Sequence, residues 1–326
     1  MRAVLLTKYG SPDALQLTEV QKPAPKSNQV LVKVHSASVN AGDYHRMRGR
    51  PLLLRLLSGL RKPKNPLLGT DFAGWVEAVG SDVTEFKPGD EVFGVCAGSF
   101  AEYVCAGSTK LALKPANVSF EAAAAAPVVG FTALQGLRDK AQIQAGQKVL
   151  VNGASSGVGM FAVQLAKSLG AEVTGVCSTR KLDMVRSLGV DHTIDYTQED
   201  FTRSGQRYDL IYDAVGNHSV GAYRRALSPQ GVCVIAGFTS LLRLFEHVVL
   251  GRLVSRGGGR QVGFQGIATT PQTDLLAIKE LLETGKVMPF IDRSYPLSEA
   301  AEAVRYLDQR HARGKVVITV AQASST

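Results

Sequence analysis

Long apolar runs and paired cysteines are both missing from this chain of 326 residues. No stretch reaches the roughly 18 uncharged apolar residues that a membrane-spanning helix requires, which argues against an integral membrane protein. Residues 1–9 also lack the long apolar segment of a secretory signal, so we expect a cytoplasmic protein. The four cysteines have no CxxC spacing. They indicate buried thiols in a reducing compartment rather than a disulfide framework.

The composition is that of an ordinary soluble globular protein, with 45% hydrophobic and 20% charged residues. A chain of this length exceeds the size at which one hydrophobic core stops growing, and it therefore predicts two domains. The net charge of +9 favours anionic partners, namely cofactor phosphates, acidic lipid or nucleic acid. Charge alone does not choose among the three.

The hydrophobic pattern differs between two parts of the chain. Residues 1–114 consist of short alternating runs broken by turn residues, which is typical of a mainly β structure. From the helix start at Ser119 onward, strands and helices alternate, and this βαβ repetition predicts a parallel, doubly wound sheet. The alternation is expected to end near Arg260, and the closing strand at 315–320 is expected to return to the first domain. The predicted parallel strands are 148–152, 172–177, 209–213 and 231–236.

A glycine-rich turn gives the sharpest local signal, in Val149-Leu-Val-Asn-Gly-Ala-Ser-Ser-Gly-Val-Gly159. Glycines allow a pyrophosphate to approach the backbone, and the N–H groups at a helix start carry partial positive charge toward it. A strand precedes this turn, a helix follows it, and a second strand comes at the spacing of a dinucleotide fold. The motif therefore predicts a dinucleotide site, the alternative being a purely structural turn.

The end of the second strand distinguishes the two dinucleotides, because an acidic residue there would repel a 2′-phosphate. The sequence has none, and reads Cys177-Ser-Thr-Arg-Lys181. Hydroxyl groups with the cations of Arg180 and Lys181 suit a phosphate group. The alternative is a solvated basic helix start, but cations at a helix N-terminus are unfavourable without an anion. We therefore expect NADPH.

These motifs, in this order, resemble the medium-chain dehydrogenase/reductase superfamily and specifically its quinone oxidoreductase branch. The resemblance spans essentially the whole chain. Its other motifs are Ser38-Val-Asn-Ala-Gly-Asp43, Gly69-Thr-Asp-Phe-Ala-Gly74, Pro127-Val-Val-Gly-Phe-Thr-Ala133 and Gly314-Lys-Val-Val-Ile318. The resemblance implies an α/β fold in which a GroES-like β-rich catalytic domain, 1–121 with 261–326, meets a Rossmann domain, 122–260, at a cleft. It also implies a homodimer through edge strands of the nucleotide sheet.

The resemblance assigns cofactor contacts by position. Ser155, Ser156, Gly157 and Val158 would touch the pyrophosphate, and Thr132 the nicotinamide side. The 2′-phosphate would meet Ser178, Arg180, Lys181 and Tyr196. The segments 213–216 and 236–238, with Val215, Gly237 and Phe238, would line the nicotinamide ribose and ring.

A catalytic zinc ion is not expected. The zinc enzymes of the family place a cysteine near Asn40-Ala-Gly-Asp43 and a histidine in the segment matching Gly69-Thr-Asp71, and both are absent here. The four-cysteine loop of those enzymes cannot be supplied by Cys96 and Cys105. Reduction of an enone, enal or quinone remains accessible without a Lewis acid, since hydride adds to carbon while charge develops on the carbonyl oxygen.

Donors aimed at that oxygen would each contribute about 3 kcal/mol in a dry cleft. The candidates are Asn40, Tyr44 and His45. The family often has a tyrosine two residues after the aspartate, where this chain has His45. Tyr44 and His45 are alternatively packing or surface residues, and Asp43 alternatively caps its own turn.

Two basic segments with many leucines, 46–64 and 240–260, stand outside these motifs. They predict either weak contact with an anionic membrane or a position over the cleft that would hold an apolar substrate. The alternative is a core-facing helix with a basic solvated face, or part of a dimer contact. Nucleic acid is not an expected partner.

Two alternative functions compete with that of a zinc-independent reductase. A short-chain dehydrogenase needs Tyr-x-x-x-Lys, and none of the nine tyrosines is followed by lysine at that spacing. That class is excluded. A nucleotide-binding protein without turnover, using the same fold, remains the alternative function.

Overall fold

The computed structural model describes residues 1–50, 55, 59–255, 258–309 and 312–320. The chain divides into two compact units, each built from more than one segment. The first unit comprises Met1–Val128, Thr270–Gly285 and Pro289–Thr326, and the second comprises Val129–Thr269 and Lys286–Met288. The domain limits expected from the sequence remain a prediction.

Strands and helices are numbered along the chain. The strands are β1 Arg2–Leu6, β2 Leu15–Glu19, β3 Gln29–Val39, β4 Asp71–Val79, β5 Glu91–Val95, β6 Tyr103–Gly107, β7 Leu111–Leu113, β8 Lys148–Asn152, β9 Glu172–Cys177, β10 His192–Asp195, β11 Tyr208–Asp213, β12 Leu227–Ile235, β13 Gln261–Phe264, β14 Ile291–Pro296 and β15 Lys315–Thr319. The helices are α1 Ala41–Arg48, α2 Phe120–Ala124, α3 Pro127–Leu134, α4 Gly157–Ser168, α5 Leu182–Ser187, α6 Val220–Ala226, α7 Leu241–Ser255, α8 Gln272–Glu283 and α9 Ala300–Asp308.

The first unit is built on a mostly antiparallel sheet in the order β14-β15-β3-β4-β5-β7, with β6 also paired to β3. Alternation along β3 turns Val30, Val32 and Val34 into the core, where they are fully buried. β15 pairs antiparallel with β3, so the closing strand does return to the first part of the chain, as predicted. The register sets the first residues of β4 and β15 beside the end of β3.

The second unit contains six parallel strands in the order β10-β9-β8-β11-β12-β13. This confirms the doubly wound sheet. The chain runs outward from β8 to one edge and from β11 to the other, so the strand order reverses between β8 and β11. Such a switch point is where open parallel sheets bind ligands. The alternation continues one strand beyond Arg260, because β13 adds to the sheet.

Serine side chains fix the starts of three helices, since each accepts a hydrogen bond from an otherwise unpaired backbone N–H. Ser119 accepts from Ala122 N at 3.2 Å, which confirms the predicted helix start. Ser156 and Ser219 cap α4 and α6 in the same way.

Helix α7 carries an apolar face that is exposed in the single chain. Leu242 and Phe245 are 77% and 65% exposed, and Leu241, Leu250 and Leu253 are exposed as well. Helix α7 lies within the predicted basic segment 240–260, whereas the other predicted basic segment, 46–64, lies in part outside the described residues. Among the described helices, none combines the length and apolar character needed to cross a bilayer.

Candidate functional site

The predicted glycine-rich turn follows β8 and leads directly into α4. Gly153 has a φ of +78°, and the N–H groups of Gly153 and Ala154 both donate to the carbonyl of Val176 in β9. A Cβ on Gly159 would lie 2.1 Å from the carbonyl oxygen of Gly153, so helix and turn touch through their backbones. The turn is therefore held tightly at the carboxyl end of the sheet.

Ser155, Ser156, Gly157 and Val158 all lie at this start of α4. Ser155 is buried, and the other three are half-buried. The hydroxyl of Ser156 accepts from Gly159 N at 3.0 Å. The first N–H groups of a helix have no partner within it, so this end offers donors and partial positive charge to a phosphate.

Glycines also shape the turns after β11 and β12. A Cβ on Gly216 would lie 2.2 Å from the carbonyl oxygen of Gly237, and a Cβ on Gly237 would lie 2.2 Å from that of Ala214. A Cβ on Gly153 would lie 2.6 Å from Val215 Cγ2. Three turns therefore pack together at the switch point with no room for additional side chains, and we call this arrangement the glycine cradle.

A buried carboxylate fixes one of these turns. Asp213, at the end of β11, is fully buried, and its Oδ1 accepts from Val215 N at 2.7 Å and Gly216 N at 2.8 Å. Its Oδ2 accepts from Asn152 Nδ2 at 3.0 Å and from the hydroxyl of Tyr223. Four neutral donors thus surround the two oxygens, which satisfies a carboxylate in the interior.

The predicted 2′-phosphate residues come together at the ends of β9 and β10. Asp195 pairs with Cys177 in the sheet register, and Tyr196 N donates to the carbonyl of Cys177 at 3.0 Å. Ser178 begins the short turn that carries Arg180 and Lys181, while Tyr196 is 62% exposed. The four residues Ser178, Arg180, Lys181 and Tyr196 therefore share one edge of the sheet.

The sequence did not point to Asp195, which places a carboxylate at the same edge. It accepts from the hydroxyl of Thr179 and from Thr197 N at 3.0 Å. The Thr179 hydrogen bond is the main cause that keeps the pKa of Asp195 below its usual range. The carboxylate is thus ionised and held by neighbouring hydroxyl and amide groups.

Thr132 and Phe238 lie elsewhere in the second unit. The carbonyl oxygen of Thr132, in α3, accepts from Tyr212 Oη at 3.1 Å and from Gln265 Nε2 at 2.8 Å. Phe238 follows the cradle glycine Gly237, and its ring lies 6.4 Å from that of Phe264 in an edge-to-face arrangement. Both predicted residues are therefore anchored through neighbouring strands.

A polar cluster is buried in the first unit, where β3, β4 and β15 meet. Lys315 Nζ donates to Asn40 Oδ1 at 2.7 Å and lies 3.6 Å from Asp71 Oδ2. Asn40 Nδ2 donates to the same Asp71 oxygen at 2.9 Å, and Ser38 Oγ donates to it at 3.1 Å. Asp43, in the first turn of α1, accepts from Asn40 N at 2.8 Å.

Burial dominates the electrostatics of this cluster. It raises the pKa of Asp43 to about 7, with backbone donors such as Asn40 N–H acting in the opposite direction. Burial also raises the pKa of Asp71 and lowers the pKa of Lys315, and the attraction between the two opposes both shifts. With Asp43 protonated, the single negative charge of Asp71 is balanced by the ammonium of Lys315.

The three predicted catalytic residues occupy the start of α1. Asn40 has partners for both polar atoms of its amide inside the buried cluster. Tyr44 and His45 are half-buried, and their rings lie 4.2 Å apart. The roles of Asn40, Tyr44 and His45 as donors to substrate stay predictions.

Among the described residues, no group of three or more histidine, cysteine or acidic side chains is arranged to hold a metal ion. Burial raises the pKa of both Cys96 and Cys105, which disfavours their thiolate forms.

Sequence reasoning gave no role to Lys315, Asp71, Asn152 or Tyr223. For Lys315, Asp71 and Asn152, a charged or amide side chain at the end of an apolar strand was the available signal, since a polar group there must find partners in the interior; Tyr223 lies inside α6 and gave no such signal. The identity of those partners depends on tertiary contacts and not on spacing.

Comparison with known proteins covers most of the chain. Residues 26–116 match the family described as alcohol dehydrogenase GroES-like domain, and residues 188–318 match the family described as zinc-binding dehydrogenase. The chain is 35% identical to 2-methylene-furan-3-one reductase of Solanum lycopersicum and 34% identical to the NADPH-dependent alkenal/one oxidoreductase of Arabidopsis thaliana. Both alignments cover 98% of this chain and 79% of the relative.

A solved structure supports the same relationship. The quinone oxidoreductase of Coxiella burnetii superposes with a TM-score of 0.86 and 30% identity, covering 98% of this chain and 99% of that one.

Proposed function

Because the chain belongs to the medium-chain dehydrogenase/reductase superfamily, in its zinc-independent quinone and enone reductase branch, we propose that it reduces conjugated carbonyl compounds with NADPH. It is an oxidoreductase that transfers hydride to an α,β-unsaturated carbonyl compound or a quinone. The observation that carries this proposal is the glycine cradle at the switch point of the parallel sheet. Named relatives that reduce alkenals and quinones agree with it.

The residues at this edge fit NADPH, because the carboxylate of Asp195 is engaged by the Thr179 hydroxyl and Thr197 N, and the two cations of Arg180 and Lys181 outnumber its single charge. A cradle that a single Cβ would fill leaves backbone for close approach to the pyrophosphate, and Ser155, Ser156, Gly157 and Val158 would supply donors at the start of α4. The 2′-phosphate would be held by Ser178, Arg180, Lys181 and Tyr196, which share the adjacent strand ends.

The nicotinamide half would lie on the other side of the switch point, against the turns that carry Val215, Gly237 and Phe238, with Thr132 beside it. Bound there, the cofactor supplies hydride to the carbon conjugated with the carbonyl group. The rigid turns restrict its orientation, which lowers the entropy cost of reaching a reactive geometry.

Charge that develops on the carbonyl oxygen needs donors, and we propose Asn40, Tyr44 and His45 for this role. Asn40 Nδ2 donates to Asp71 Oδ2 at 2.9 Å and more weakly to Ser38 O at 3.5 Å, so Asn40 would serve the substrate by exchanging the weaker of these hydrogen bonds. Tyr44 and His45 follow on the same helix and are half-buried, so each combines partial access with partial desolvation.

The test is a spectrophotometric assay in which purified protein is mixed with NADPH and a panel of 2-alkenals, enones and quinones. We expect loss of reduced-nicotinamide absorbance with at least one class and a preference for NADPH over NADH. A chelator is expected to leave the rate unchanged. Binding of NADPH without oxidation by any member of the panel would instead support the nucleotide-binding protein without turnover.

A homodimer and a location in the cytoplasm complete the proposal. β13 lies at one edge of the nucleotide sheet, where a second copy can pair with it. Sedimentation equilibrium at the mass of one chain would contradict the dimer, and cell fractionation tests the location.

The exposed face of α7 supports weak contact with an anionic membrane. Phe245 and Leu242 supply apolar area, and Arg252 on the same helix is exposed. Flotation with phosphatidylcholine vesicles that contain phosphatidylserine is the test, with Phe245→Ser as the matched variant. Absence of salt-sensitive flotation of the wild type would remove this contact.

A further inference from the structure

The hydroxyl of Tyr223 lies directly behind the turn that follows β11. Tyr223, in α6, is fully buried and donates to Asp213 Oδ2, while the opposite oxygen of that carboxylate holds Val215 N and Gly216 N. Its hydroxyl also accepts from His218 N, two residues beyond Gly216. The N–H groups of Val215 and Gly216 are bound by Asp213, so Tyr223 acts on them through that carboxylate.

Aromatic neighbours fix the ring of Tyr223. His218 lies edge-to-face with it at 5.8 Å, and His247 of α7 lies at 5.8 Å on a tilted plane. His218 N also donates to the Tyr223 hydroxyl at 3.2 Å, and the His247 ring bonds the carbonyl of His218 through Nε2 at 2.9 Å. The ring thus has a defined position that removal of the hydroxyl oxygen alone would not alter.

The carboxylate depends on this hydroxyl. Only Asn152 would remain on Oδ2 if Tyr223 lost its oxygen, and a buried carboxylate with an unfilled acceptor position is costly. Rotation of Asp213 toward other donors would release Val215 N and Gly216 N. The turn that they belong to has little room to adjust, because its glycine touches the carbonyl of Gly237.

We propose that Tyr223 is a positioning residue for the nicotinamide half of NADPH, acting through Asp213 on the Val215–Gly216 turn. The inference rests on the proposed function, since it takes the cradle as the cofactor site. The adenosine half lies on the β8–β9 side of the switch point and does not meet this turn. Loss of the hydroxyl therefore weakens the binding of one half of the cofactor and spares the other.

The experiment compares two ligands on Tyr223→Phe. NADPH is titrated by its fluorescence, and adenosine 2′,5′-bisphosphate, which has only the adenosine half with its 2′-phosphate, is titrated by calorimetry. We expect the Kd for NADPH to rise about tenfold and the Kd for the fragment to change less than about twofold, since one charge-assisted hydrogen bond is lost. The single-turnover rate of hydride transfer at saturating NADPH is expected to fall as well.

Tyr208→Phe is the matched control. Tyr208 is also buried and belongs to β11, but its hydroxyl donates to Gln206 at 2.9 Å, away from the cradle. We expect both dissociation constants to stay at the wild-type values in this variant. If Tyr208→Phe changed their ratio as Tyr223→Phe does, the effect would not belong to the turn and the inference would be wrong.

Equal weakening of both ligands in Tyr223→Phe, or no change in either, would also overturn the inference while leaving the proposed function intact. Should Tyr223→Phe not be recovered folded, Asn152→Ala carries the same test, because it removes the other donor to Asp213 Oδ2. Wild-type protein that binds neither ligand would instead contradict the proposed function.

Discussion

Replacing Lys315 by methionine removes the ammonium group beside Asp71 and keeps most of the side-chain volume. The two side chains are 3% and 0% exposed, so water cannot take the place of the lost partner. Removing one member of a buried ion pair typically costs about 3–5 kcal/mol. Asn40 Oδ1 also loses its donor, so we expect Lys315→Met to lower the free energy of unfolding by about 4 kcal/mol.

The assay uses urea unfolding followed by tryptophan fluorescence. Trp75 is the only tryptophan of the chain and lies in β4, the strand that begins with Asp71, so it reports on the first unit. The double variant Asp71→Asn with Lys315→Met carries no uncompensated charge. We expect it to be more stable than the sum of the two single variants predicts, by about 2 kcal/mol.

Lys279→Met is the control, because Lys279 pairs with Glu283 on the surface of α8 and the pair is partly exposed. Its cost is expected to stay below about 0.5 kcal/mol. The reasoning is refuted if Lys315→Met costs as little as the control, or if the two single changes at the buried pair are additive.

Three further results follow from the structure. The pKa of Asp43 is about 7 in the folded state against an ordinary 3.8, so the folded state holds an extra proton between these two pH values. The stabilisation from this proton is full below pH 3.8 and is lost as the pH rises through 7. Urea titrations across this pH range should show the loss in wild type and not in Asp43→Asn. Gly216→Ala, at a φ of +68° and facing a backbone carbonyl, should raise the Kd for NADPH at least about tenfold in fluorescence titration, while Gly221→Ala, in open space, should not. Replacing Arg180 and Lys181 by glutamine should weaken the binding of NADPH but not that of NADH in parallel titrations. Equal weakening of both would contradict a role of these cations at the 2′-phosphate.

The second unit was largely predictable because its signals are local. Short apolar runs marked β8 and β9 with the bounds that the structure shows, since strands buried on both faces need continuous hydrophobic residues. The glycine turn and the helix behind it could be placed for the same reason. β13 was not anticipated, because four residues that include Gln261 and Gly263 give a weak strand pattern.

The buried polar cluster could not have been derived from spacing. Lys315 and Asn40 are 275 positions apart, and only the pairing of β15 with β3 brings them together. The hydrogen bond that supports the glycine cradle through Asp213 could not be predicted for a similar reason. Nothing in the sequence says that the hydroxyl of Tyr223 meets Asp213, because that contact depends on how α6 packs on β11.

The placement of β15 has a consequence for biosynthesis. At about 5–20 residues per second, a ribosome needs about 15–55 s to add the 275 positions from Asn40 to Lys315. Until Lys315 is added, the polar ends of two strands, β3 and β4, lack their cation, whereas the last strand of the nucleotide sheet is already translated at Phe264. The middle of the polypeptide is therefore expected to reach its native state before the part that was translated first.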